Sequence, residues 1–175
     1  LHHDMVMAAL QAGKHVFCLN HMAYDLEAAR SMHKKAQENP ELKTILVGMD
    51  IREDAMIAKL LADGYVGEIQ QVLDYRFSSQ YTDLSLPLHW RQDLQYSGVN
   101  VLLLGALVEA HRRWFGDFKR VFAQSRVFAP KVSDRTISVQ LPDSLNVLVD
   151  LENGGTLTYL HSGATRFAGP SRTEI

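Results

Sequence analysis

The sequence predicts an α/β protein in two parts. The first, residues 1–48, reads as the back of a parallel α/β unit, and the second, residues 49–175, as an α/β domain on an open, largely antiparallel sheet. Three observations carry this. His15-Val-Phe-Cys18 and Thr44-Ile-Leu-Val-Gly48 are short apolar runs without polar alternation, each following a helical pattern, as in a parallel sheet covered on both faces. Glu68 to Ser78 and Leu145 to Leu160 instead alternate apolar with polar, the period of half-covered strands. Asn153-Gly154 lies in the middle of the second alternating stretch and marks a tight hairpin turn.

The elements follow in order. Residues 4–12 are strong helix formers, with Met5, Val6, Ala9 and Leu10 on one stripe and Gly13 as a stop. A buried strand follows at His15–Cys18. Asp25 is a suitable N-cap for a second helix carrying Leu26, Ala29 and Met32, which Pro40 closes. Thr44–Gly48 is the second buried strand, and the crossover between the two is right-handed by rule. The first helix has no preceding strand to pack beside, so four earlier strands of a doubly wound sheet are expected upstream, and the lack of an initial methionine is expected of a processed chain or a fragment.

A helix is expected from about Glu53 to Asp63, stopped by Gly64. In the strand Glu68–Ser78, Ile69, Leu73, Tyr75 and Phe77 face one way and Gln70, Asp74 and Arg76 the other, one face being open to solvent or a partner. Residues 79–97 read as a loop, and Gly98 to Phe115 as a buried helix, apolar nearly all round. Lys119–Phe128 is a strand, Leu145–Leu160 a hairpin with Leu145, Val147, Val149 and Leu151 on one face, and the tail from Arg166 enters another strand.

Composition excludes several function classes. A formal charge of −2 gives no reason to expect nucleic acid or an anionic membrane. The longest apolar stretch, Val101–Val108, is far short of the about 20 residues a bilayer requires. No signal-peptide pattern opens the sequence. A single cysteine, Cys18, rules out a disulfide framework and suits a reducing cytoplasm. His2 and His3 have no third ligand in sequence and Cys18 no partner at metal spacing, so no metal site is expected.

Ala8-Ala-Leu-Gln-Ala-Gly-Lys-His-Val-Phe-Cys18, Met22-Ala-Tyr-Asp-Leu-Glu-Ala-Ala-Arg30 and Gly64-Tyr-Val-Gly-Glu-Ile69 resemble the glucose–fructose oxidoreductase, inositol dehydrogenase and rhizopine-catabolism family (Gfo/Idh/MocA). So do Trp90-Arg91, Arg113-Trp-Phe-Gly116 and Leu151-Glu-Asn-Gly-Gly155, in the same order along almost the whole chain. The resemblance implies NAD(P)-dependent hydride transfer on sugars, inositols and similar polyols or carbonyls. It implies a Rossmann-like first domain, of which residues 1–48 would be the last two strands, and a C-terminal substrate and oligomerisation domain, incomplete over 49–175.

Three family features are replaced. No G-x-G-x-x-G occurs, and Gly64-Tyr-Val-Gly67 has the wrong spacing and follows a helix. NAD or NADP is therefore expected for the full-length protein, but no tight binding to these residues alone. Where the family has Glu-Lys-Pro, the chain has Leu19-Asn20-His21. Where it has an Asp and a His one helical turn apart, the chain has Leu103 and Leu107, and leucine transfers no proton.

The candidate residues follow from these positions. Leu19, Asn20 and His21 close a parallel strand at the edge where such sheets bind ligands, and His21 has a pKa suited to proton donation. It is otherwise an exposed loop residue. Glu109 interrupts the apolar helix and is either a buried acid/base or the partner of Arg112 or Arg113. Asn100 is a hydroxyl-binding residue or a helix cap. His111, near the helix end, is expected to be exposed. His89, Trp90 and Arg91 sit where the resemblance places nucleotide or substrate, and a guanidinium suits phosphate or carboxylate. The expected partners are a small-molecule substrate and a second copy of the chain. The rival is a non-catalytic binding or assembly module that uses the open sheet face.

Overall fold

The computed structural model describes residues 2–19, 22–46, 54–129 and 141–175. Helix α1 (His2–Gln11), strand β1 (Val16–Cys18), helix α2 (Leu26–Gln37) and strand β2 (Thr44–Leu46) form the first part. Asp25 caps α2 as expected, its carboxylate accepting from the Ala28 amide at 2.8 Å. β1 and β2 pair in parallel with Val16 opposite Thr44. Val6, Leu10, Cys18 and Met32 make its small core.

Among the described residues, α1 and α2 pack against each other and, with Cys18, on a single face of this pair. On the other face Phe17 is 66% and Ile45 49% exposed, and none of the described residues covers them.

The second part contains helix α3 (Asp54–Ala62), strand β3 (Gln71–Phe77), a 3-10 turn (Trp90–Gln92), helices α4 (Leu94–Ser97) and α5 (Leu104–Phe115), and strands β4 (Phe118–Arg126), β5 (Ser144–Leu151), β6 (Thr156–Ser162) and β7 (Arg172–Glu174). The sheet order is β4-β5-β6-β3-β7. Three of its pairings are antiparallel, and β3 runs parallel to β6 in the middle. The hairpin forms where the sequence placed it, with Leu145, Val147, Val149 and Leu151 buried. α5 covers this face, and Leu107 and Phe115 join those four with Val72, Leu157 and Tyr159 in one core.

Three expectations need correction. On β3 the covered face is the one with polar residues: Val72 and Asp74 are fully buried, while Leu73, Tyr75 and Phe77 are half-exposed. The charged side can face inward because its carboxylate is fully partnered, as described below. The helix expected from Gly98 starts only at Leu104. Gly98 ends α4 at φ +60°, and a Cβ there would lie 2.6 Å from the Tyr24 carbonyl oxygen. The backbone passes too close to the first part for a continuous helix, and Leu102 and Leu103 follow at φ 50° and 62°. Nor is α5 apolar all round, since Glu109, Arg112 and Arg113 lie away from its buried side.

Candidate functional site

β3 and β6 are parallel neighbours, so their carboxyl ends open at the same edge of the sheet. A cleft of ≈ 420 Å³ lies there. Its walls come from the end of β3 (Arg76, Phe77, Ser78), the segment beyond it (Gln80, Tyr81) and the end of β6 (Ser162). Arg91 of the 3-10 turn, Ser171 before β7, and Leu102, Leu103 and Leu107 at the start of α5 complete them. Backbone hydrogen bonds fasten this edge: Ser78 N donates to Ser162 O at 2.8 Å, and Tyr81 N to Gly163 O at 2.8 Å.

Gly163 makes room for the Tyr81 ring. A Cβ at Gly163 would meet Tyr81 Cδ2 at 2.3 Å, and the tyrosine is 5% exposed. Gly163→Ala is therefore expected to push the ring out of the cleft wall at a cost of roughly 1–3 kcal/mol, as over-packing does. Urea denaturation and the Tyr81 ring resonances check this. An unchanged midpoint with unmoved resonances would refute it.

Leu102 and Leu103 hold left-handed backbone angles, each costing of order 1–3 kcal/mol for a residue with a side chain. Such strain persists where surrounding structure demands it. Here it places both leucines against the cleft.

One helical turn from Leu107, below the cleft floor, lies a buried polar network. Asp74, His111 and His161 have fully buried side chains. Asp74 accepts from Arg76 Nε at 3.0 Å and Nη2 at 2.8 Å, from Thr173 Oγ1 at 2.6 Å and from His161 Nε2 at 2.8 Å. Burial alone raises its pKa, but the hydrogen bonds from His161, Arg76 and Thr173 and the Arg76 charge outweigh that and hold the carboxyl well below the usual carboxylate range. His111 Nδ1 meets the Tyr159 hydroxyl at 3.1 Å, and its Nε2 is 3.8 Å from Asp74 Oδ2, beyond hydrogen-bond reach. Burial lowers the His111 pKa to about 4 despite the Asp74 charge, with Arg76 and His161 adding to the lowering. Burial, then Asp74, pushes the Tyr159 phenol up. The expectation that His111 is exposed is thus overturned: its ring packs between Trp114, Phe115 and Tyr159.

The sequence candidates distribute unevenly. Arg91 lines the cleft. Its guanidinium lies 4.2 Å over the Trp90 ring, and Trp90 stacks on His89 at 5.8 Å. His89 Nδ1 also accepts from the Arg91 amide at 3.2 Å, capping the 3-10 turn. Asn100 Oδ1 accepts from Gly105 N at 3.3 Å in the first turn of α5, although the N-cap position itself is held by Leu103. Of the two readings of Glu109, the ion pair is the one present: its side chain is 41% exposed, it pairs with Arg113 at 2.8 Å, and it does not line the cleft. Leu19 is 51% exposed beyond β1. Asn20 and His21 lie outside the described residues. Among the described residues no cluster of metal ligands occurs, and no helix is long and apolar enough to cross a membrane.

Sequence reading missed Arg76, Tyr81, Ser162 and the buried Asp74–His161 pair. The available signals were a charged Asp74-x-Arg76 on a strand flanked by apolar residues and a histidine closing the strand-like stretch Leu157–Leu160.

No family model matches the sequence, and no curated protein matches it. Solved structures do. A NAD-binding oxidoreductase from Klebsiella pneumoniae matches with TM-score 0.81 and 23% identity over 96% of this chain and 46% of its own. Levoglucosan dehydrogenase in complex with NADH and levoglucosan matches with TM-score 0.82 and 20% identity over 95% of this chain and 46% of its own. The WlbA dehydrogenase of Chromobacterium violaceum, with NADH and UDP-GlcNAcA, matches with TM-score 0.75 and 19% identity over 95% and 47%. The chain has the fold of the corresponding part of these oxidoreductases and spans less than half their length.

Proposed function

We propose that this chain is the substrate-side portion of an NAD(P)-dependent oxidoreductase of the Gfo/Idh/MocA type, acting on a sugar, inositol or related polyol or carbonyl. The observation that carries the reading is the co-extensive fold: 95% of the chain follows a dehydrogenase that binds NADH and levoglucosan. The position of the cleft supports it, at the carboxyl ends of parallel strands beside Leu103 and Leu107. In this reading residues 1–48 border the nicotinamide and 49–175 hold the substrate.

Leu19, Asn20, His21 and Trp90 are the residues that would border the cofactor, and Arg91, expected at nucleotide or substrate, is assigned to the substrate because it lines the cleft. The exposed apolar Leu19 suits the flat nicotinamide ring. No glycine-rich turn for the pyrophosphate exists in these 175 residues. The nicotinamide, when bound, supplies the hydride acceptor. In the oxidative direction the substrate carbon gives up hydride, its hydroxyl gives up a proton, and the alcohol becomes a carbonyl. The chain's own task is to orient the polyol and take that proton. With Glu109 paired to Arg113 and off the cleft, His21 is the residue we assign to the proton. The open sheet face, where Phe122 and Leu148 lie opposite each other and are 68% and 52% exposed, is proposed to pack on a second copy. The lone buried Cys18 accords with a cytoplasmic setting.

The test uses the longest reading frame containing this sequence, purified and assayed for NAD(P)H formation at 340 nm against sugars and inositols. Turnover is expected, and His21→Ala should lower kcat about 10²–10⁴-fold, the usual worth of a general acid–base. One observation favours a second reading, a non-catalytic module: leucines line the cleft at both positions where the family has its Asp and His. Polyol binding with no hydride transfer to either nucleotide would select it.

A further inference from the structure

The cleft has a charge character that fold likeness alone does not specify. Two guanidinium groups reach it, Arg76 and Arg91, and no carboxylate lines it among the described residues. Asp74 engages Nε and Nη2 of Arg76, and Nη2 also donates to Thr173 Oγ1 at 3.1 Å. This fixes the guanidinium plane and leaves Nη1 as its unengaged edge, on a side chain 28% exposed. The Arg76 charge is offset by Asp74. Arg91 has no acidic partner among the described residues, and its stacking on Trp90 uses the ring face while leaving the planar N–H donors in the open. The net positive charge of the cleft therefore comes from Arg91.

The remaining walls suit a polyol. Ser78, Ser162 and Gln80 supply hydroxyl and amide groups, and Ser162 Oγ accepts from Ala164 N at 3.1 Å, which leaves its proton free to donate. Leu103 and Leu107 offer a surface for C–H faces. The volume of ≈ 420 Å³ is at the low end for small-molecule sites and suits one sugar ring.

We propose that the cleft takes a small polyol bearing an anionic oxygen group, a carboxylate or a phosphate ester, seated on Arg91 with the free edge of Arg76 beside it. The proposal rests on the cleft being the substrate side of an oxidoreductase, but binding alone tests it. Calorimetric titration of this chain with D-glucuronate, D-glucose 6-phosphate and D-glucose, at matched ionic strength, separates the cases. At least one anion is expected to bind ten-fold or more tightly than glucose, and the preference should shrink as salt is raised. Arg91→Gln should abolish the preference and Arg91→Lys restore part of it. Arg120→Gln, on the exposed edge strand β4, should leave it intact. Binding of glucuronate alone assigns a carboxylate, and binding of the phosphate alone assigns a phosphate ester.

Equal affinity for glucose, an anion preference that survives Arg91→Gln, or no binding of any of the three overturns the proposal. Hydride transfer from neutral polyols with no preference for anions overturns it while sparing the oxidoreductase reading. Anion binding without hydride transfer does the reverse.

Discussion

Replacing Asp74 by alanine is expected to cost about 3–5 kcal/mol of folding stability, the range for removing one member of a buried ion pair. Asp74 is the shared acceptor for Arg76, Thr173 and His161, so its loss strands three donors at once. His161 Nδ1 already has no hydrogen-bond partner among the described residues, and without Asp74 both nitrogens of a fully buried ring would lack one. Among the described residues of the short edge strand β7, Thr173 is the one that hydrogen-bonds this carboxylate, so β7 is expected to loosen first. Urea denaturation gives the total loss, and hydrogen exchange at Thr173 and Glu174 reports the edge strand. A loss below about 1 kcal/mol, the worth of a single ordinary hydrogen bond, would show that the network is not cooperative. Adding Arg76→Met to Asp74→Leu should recover part of the loss, because the larger cost lies in the stranded charge and not in the missing bonds.

Asp74 also shows why sequence reading succeeded in places and failed in others. Features decided within a few residues were legible: the Asp25 cap, the Asn153-Gly154 turn, the alternation of Leu145 to Leu151, and the Glu109–Arg113 pair one turn apart. The covered face of β3 was not. Its decisive partners, His161 and Thr173, lie 87 and 99 residues further on, and nothing near Asp74 announces them. The start of α5 failed for the same reason, since the break at Gly98 is imposed by the Tyr24 carbonyl, far back in the chain.

The cleft followed the same rule. Arg91, singled out through the family resemblance of Trp90-Arg91, lines the cleft, but Arg76, Tyr81 and Ser162 converge there only because β3 pairs with β6 and not with a neighbour in sequence. The corrected assignment of His111 matters most for behaviour in acid, because a buried histidine stabilises the fold only while it stays neutral.

Acidification is therefore expected to unfold the chain in two successive stages. His111 has a folded pKa of about 4, against about 6.5 in an unfolded chain. Between these values the unfolded state binds more protons than the folded one, so stability rises with pH and is lost as pH falls from 6.5 to 4. The full effect is roughly 3 kcal/mol if all of the shift is realised. An ion pair with Asp74 would have the opposite sign, but the 3.8 Å separation and full burial of both groups let desolvation win. Arg76, His161 and Tyr159 are the other polar groups facing the ring; Arg76 and His161 favour its neutral form. Asp74 supplies the second stage. Its depressed carboxyl contributes stability that is present above the unfolded value near 4 and is lost as pH drops below it. Urea unfolding free energies from pH 7.5 to 2.5 should decline first through the histidine window and then through the carboxylate window, each group contributing at most about 1.4 kcal/mol per pH unit. His111→Phe leaves the Tyr159 hydroxyl without this partner, so it lowers stability at neutral pH, but it should flatten the slope between pH 6.5 and 4 while the loss below 4 persists. A wild-type profile that is level between pH 6.5 and 5, or a slope that His111→Phe leaves unchanged, would place the acid-labile group elsewhere.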